Sequence, residues 1–103
     1  MAKNDLEFVR SDAWLLLAVL LASREHYAPV EKIIEAGDYI NRDIFSDEEL
    51  NGGFTRLKAG GFVKERGGKY SATSKTLKAY AKTTTPRRAI YKELEDMRQL
   101  LGV

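Results

Sequence analysis

The sequence predicts a mostly helical domain with one small β-hairpin and an extra helix at its C-terminal end. Three observations predict it. The run from Ala13 to Ala22 is ten apolar residues, long enough for a buried helix and about half of what a bilayer span needs. Ser46-Asp47-Glu48-Glu49 has the Ser-x-x-Glu form of a helix capping box and opens a stretch with apolar residues at helical spacing. Gly67-Gly68 stands between two short segments that favour extended backbone, which marks a tight hairpin.

A chain of 103 residues suits one domain, and 44% apolar with 31% charged residues suits a globular one. The absence of cysteine excludes disulfides, thiolate metal sites and cysteine nucleophiles, and it fits a reducing, cytoplasmic setting. Acidic residues Asp5, Glu7 and Asp12 precede the apolar run where a secretion signal needs basic ones. No membrane association is expected.

Residues 1–10 read as a polar N-terminal extension in which Leu6, Phe8 and Val9 have apolar surface to pack. Ser11 is the expected cap of a first helix reaching about Arg24, with Asp12 in its favourable first turn. That helix is apolar on every side, so the rest of the domain or a second subunit must cover it. Arg24 to Ala28 breaks the pattern. Pro29 fits the first turn of a second helix ending near Asn41, whose inner face is Val30, Ile33, Ile34, Gly37 and Ile40. Ile44 and Phe45 are expected as apolar anchors in the turn that follows.

A third helix begins at Asp47 behind its capping box, and Leu50, Phe54 and Leu57 form its inward face. Gly60-Gly61 ends it. In the hairpin, a type I′ turn at Gly67-Gly68 pairs Arg66 with Lys69, Glu65 with Tyr70 and Val63 with Ala72. Thr73 or Ser74 caps a fourth helix, with Leu77, Tyr80 and Ala81 inward and Lys75, Lys78 and Lys82 outward. Thr83 to Pro86 is a linker. A last helix starts near Arg87, and its residues Ile90, Leu94, Met97 and Leu101 have the spacing of a helix-pair seam. Barely two heptads long, it must pack on its own domain or dimerise with a second copy, and both remain open. The divisions are therefore 1–10, 11–85 and 86–103.

Charge is uneven. Residues 1–50 hold five basic and eleven acidic residues, and residues 51–103 hold twelve basic and four acidic ones. Within 51–92 the only acid is Glu65 against eleven cations. Such a division suits an anionic partner on one face, or two halves that neutralise each other within the domain.

The order helix, helix, helix, hairpin, helix resembles a winged helix-turn-helix domain over roughly residues 12–82. Its carriers are Glu49-Leu50, Phe54-x-x-Leu57, Gly60-Gly61-Phe62-Val63 and Lys69-Tyr70-x-x-Thr73, which are similar to the corresponding run of bacterial winged-helix regulators. The terminal helices resemble the dimeric PadR-like group and also small winged-helix proteins without an assigned activity. The resemblance implies double-stranded DNA as partner, with the third helix in the major groove and the wing on phosphates. On that helix, Arg56 would read guanine and Asn51 adenine, with Thr55 and Lys58 beside them. Lys64, Arg66 and Lys69 of the wing, and Lys75 and Lys78 of the fourth helix, would meet phosphates. Against base reading stand Asp47, Glu48 and Glu49 at the helix start, and the costly pair Gly52-Gly53 in its interior, which suits close approach of another backbone. The expected function is a DNA-binding, homodimeric transcriptional regulator, with a protein-interaction module as the alternative.

Enzymatic chemistry is not expected. His26 is the single histidine, too few for a triad or a metal centre. The acidic stretch from Asp38 to Glu49 fails an EF-hand register, since Ile40 and Arg42 stand at ligand positions and Asp43 at the glycine position. The Gly-Gly pairs lack the following Lys-Ser or Lys-Thr of a phosphate loop. No metal or cofactor is expected, and no convergent polar residues mark an effector pocket, so the effector is unassigned.

Overall fold

The computed structural model describes residues 7–24 and 26–103. In these, five helices and a small antiparallel sheet follow in the order α1 (Arg10–Ser23), β1 (Ala28–Pro29), α2 (Val30–Asn41), α3 (Asp47–Ala59), β2 (Val63–Arg66), β3 (Lys69–Ala72), α4 (Ser74–Thr83) and α5 (Ile90–Leu101).

Helix α1 is the hub. Every residue from Ala13 to Leu20 is buried, and α2, α3, α5 and β3 all pack on it. The all-round apolar character thus has an intramolecular explanation. The helix starts one residue before Ser11, with Val9 at the cap position. The side chain of Asp12 replaces a serine cap by accepting the Val9 backbone N–H at 3.0 Å. On the opposite flank, Trp14 stacks on Phe45 with ring centroids 3.8 Å apart, and its indole N–H donates to the Gly37 carbonyl at 2.8 Å. Gly37 has no side chain to obstruct the Phe45 ring lying against it. Phe45 is therefore the anchor of the α2–α3 turn, whereas Ile44, expected beside it, is 68% exposed.

The Ser46–Glu49 capping box forms as read, with Ser46 N–H on Glu49 Oε1 at 2.9 Å and Glu49 N–H on Ser46 Oγ at 3.0 Å. Leu50, Phe54 and Leu57 face the core. The left-handed residue that stops the helix is Gly61, at φ 79°. Gly67 and Gly68 both take positive φ, and the hairpin has the expected register, Arg66 opposite Lys69, Glu65 opposite Tyr70 and Val63 opposite Ala72.

Three further expectations need correction. Ala28 and Pro29, read as a break and a helix start, form a third strand that pairs with β3, giving the sheet order β1-β3-β2. Pro29 at the edge lacks only a donor that the ladder does not use. On α4 the buried residue is Thr76, whose hydroxyl donates to the Phe62 carbonyl at 2.7 Å, while Leu77 and Ala81 are exposed. Finally, α5 begins at Ile90, three residues later than expected, and folds back on α1. Leu94, Met97 and Leu101 are buried in the same core as α1, with Ile90 packed at its margin. The seam assigned to dimerisation is consumed within the chain. Residues 86–103 thus share one core with residues 11–85. Of the N-terminal extension, Phe8 meets Phe62 edge-on at 5.6 Å, and Leu6 lies outside the described residues.

Candidate nucleic-acid interface

The sheet has two unlike faces, set by strand alternation. One carries Ala28, Val63, Glu65, Tyr70 and Ala72 and turns to the helices. Ala28, Val63 and Ala72 are buried, and Tyr70 stacks on Phe54 of α3 with centroids 3.8 Å apart and planes 8° apart. The other face carries Lys64, Arg66, Lys69 and Ser71. Extending the β1–β3 register by one residue puts Tyr27 opposite Ser71, in one row with Lys64. Because Ser71 is small, the Tyr27 ring reaches across it. The Lys64 ammonium lies 5.6 Å from the ring centroid and the Arg66 guanidinium 5.2 Å. Both are within the range of cation–π attraction.

Glu65, the one acid in this stretch, points away from that group. It pairs with Lys58 of α3 at 2.7 Å, and this hydrogen bond holds its carboxyl below the usual range and raises Lys58. Among the described residues no carboxylate pairs with Lys64, Arg66 or Lys69. Among the described residues one ion pair, Asp12–Arg56, joins the acidic first half of the chain to the basic second half, and the others lie within a half. Contact between the halves therefore does little to neutralise the hairpin.

The remaining cations divide into engaged and exposed. Arg56, expected to read guanine, is turned back onto α1. Its Nε and Nη2 donate to the two oxygens of buried Asp12 at 2.7 and 2.9 Å, which raises the guanidinium pKa further. A guanidinium held this way is not presented to a base edge. Lys75 donates to the Gly60 carbonyl at 3.0 Å and lies 4.1 Å above the Phe62 ring, so it caps the C-terminal end of α3. Lys78 is exposed on α4, in a groove shared with Lys82 and Met97. On α3, Asn51 and Thr55 are exposed, and the Thr55 hydroxyl donates to the Asn51 carbonyl at 2.9 Å.

At Gly52-Gly53, where another backbone was expected, the atoms nearest Gly53 belong to the Leu15 and Asp12 side chains of α1. Tyr27 was missed because β1 was missed. Its signal was the Ala28-Pro29 step, since a residue before proline favours extended backbone.

Among the described residues, no group of acidic and histidine side chains is arranged to hold a metal ion, and no helix is long and apolar enough to cross a membrane. No protein-family model, curated protein or solved structure gives a significant match to this chain.

Proposed function

We propose that the protein is a winged helix-turn-helix DNA-binding protein that holds duplex DNA chiefly through the outer face of the β2–β3 hairpin. The observation that carries this reading is the uncompensated group Lys64, Arg66 and Lys69, arranged on one sheet face beside Tyr27, with Glu65 diverted to Lys58. Cations without local counter-ions lower the free energy of a phosphate backbone by releasing its condensed ions. Asn51 and Thr55 are the α3 side chains suited to base edges. With Arg56 committed to Asp12, sequence discrimination is modest and the affinity is mostly electrostatic. Regulation of transcription and assembly as a homodimer belong to the same reading, with a dimer contact elsewhere than the α5 seam.

Titration of fluorescent duplex DNA at rising salt tests it. Affinity falls with salt, and replacing Lys64, Arg66 and Lys69 together by alanine flattens the logarithmic slope by roughly two to three, at about 0.9 per phosphate contact. Failure to bind at micromolar protein in low salt, or an unchanged slope in the triple variant, overturns it. Exposed Glu48 at the start of α3 favours the second reading, a protein-interaction module, and that reading gains if a protein partner is recovered while DNA is not.

A further inference from the structure

We propose that the cavity between the end of α1, α2, α4 and α5 binds a small aromatic ammonium compound, with Glu93 as its counter-ion. Glu93 is 7% exposed and lines this cavity of about 900 Å³. Its Oε2 accepts hydrogen bonds from the Tyr80 hydroxyl at 3.0 Å and the Thr84 hydroxyl at 2.6 Å. Both donors are neutral, and both use the same oxygen.

The other carboxylates removed from water are treated differently. Asp12 faces Arg56, and Asp96 faces Arg88, each through two hydrogen bonds. No ion pair among the described residues involves Glu93. Arg88, held by Asp96, feels the Glu93 charge only at longer range. A carboxylate withdrawn from water without a cation in contact bears a desolvation cost that a ligand's positive charge would offset.

The walls fit such a ligand. Leu21, Ala36 and Ile90 are apolar, and Tyr39 and Tyr80 add aromatic rings. Aromatic faces attract an ammonium group, and the volume lies within the roughly 300–1,000 Å³ of small-molecule sites. Two arginines also line the cavity. Arg88 is neutralised by Asp96, and Arg24 is exposed, with its charge reaching the Tyr80 hydroxyl. Arg24 disfavours a second positive charge, so the ligand is a monocation with its ammonium directed at Glu93.

This inference does not depend on DNA binding, because the cavity shares no residue with the hairpin. Titration of the full chain with phenethylammonium, followed by calorimetry, tests it. Saturable binding in or below the millimolar range is expected. 2-Phenylethanol and benzoate, which keep the ring without the positive charge, bind about tenfold more weakly or not at all. Glu93→Gln keeps an oxygen for Tyr80 and Thr84 and reduces affinity for the amine by about tenfold or more, with the thermal midpoint reporting on the fold. Ala36→Phe fills the cavity from α2 and abolishes binding; it decides the matter if Glu93→Gln does not fold. Absence of saturable binding by the amine, equal binding of benzoate or phenylethanol, or undiminished binding to a folded Glu93→Gln or Ala36→Phe variant overturns the proposal.

Discussion

Asp12 is 0% exposed, and its charge is tolerable only because three donors converge on it: the Val9 N–H and two groups of Arg56. It caps α1 and fastens α3 to it in the same stroke. Asp12→Ala removes the cap and leaves Arg56 without its partner. Arg56 keeps partial access to water, so the cost falls below that of a fully buried pair, at about 2–3 kcal/mol. Urea unfolding measures it, and a change under about 1 kcal/mol would show that the pair is ornamental. Half of this arrangement was legible in the sequence. The favourable place of Asp12 in a helix first turn was readable, although the cap itself was expected at Ser11. That Arg56 turns inward was not legible, because its place on the flank of α3 allows either direction and its partner lies 44 residues away.

At the scale of the element, α3 shows how neighbouring glycines acquire different roles. A Cβ on Gly53 would stand 2.6 Å from a Leu15 methyl and 3.2 Å from an Asp12 oxygen, whereas one on Gly52 would meet the end of the Arg56 side chain at 3.1 Å. Alanine gains about 1 kcal/mol in helix propensity at either site. At Gly53, overpacking of roughly 1–3 kcal/mol outweighs that gain. Gly53→Ala is therefore destabilising and Gly52→Ala neutral to stabilising, and chemical denaturation of the two variants side by side checks the sign. Elements with a chemical punctuation mark were readable from sequence: the capping box, the Gly61 stop and the Gly67-Gly68 turn. Strand β1 was not, because two residues carry no periodicity and its existence depends on pairing with β3, some forty residues downstream. The inner face of α4 was misassigned for a related reason. Thr76 is buried by its hydrogen bond to Phe62, and hydrophobic spacing does not register a threonine drawn inward by its hydroxyl.

Across the whole molecule, the first and last helices close on each other, with α5 lying along α1 and its apolar residues completing the core. The four-three-four spacing of Ile90, Leu94, Met97 and Leu101 was legible, but a seam does not name its partner, and here the partner is the same chain. Met97 is 1% exposed, so Met97→Ala leaves a cavity and costs about 2–4 kcal/mol. Its sedimentation is unchanged from the parent. A variant that loses a subunit instead of stability would return α5 to the role of an intermolecular helix. The candidate interface follows the same division. Its cations were visible in the charge imbalance of residues 51–92, while their sorting into engaged and exposed groups depends on Asp12, Gly60 and Glu65, which the fold brings to them.

The single tryptophan sits at the junction of α1, α2 and Phe45, with its indole N–H tied to Gly37. This gives the molecule an internal optical reporter on its core. Its emission follows the docking of α2 onto α1, and the hairpin cations stack on Tyr27 rather than on an indole. Intrinsic fluorescence therefore follows unfolding and stays nearly silent during a nucleic-acid titration, so a single sample separates a variant that no longer binds from one that no longer folds.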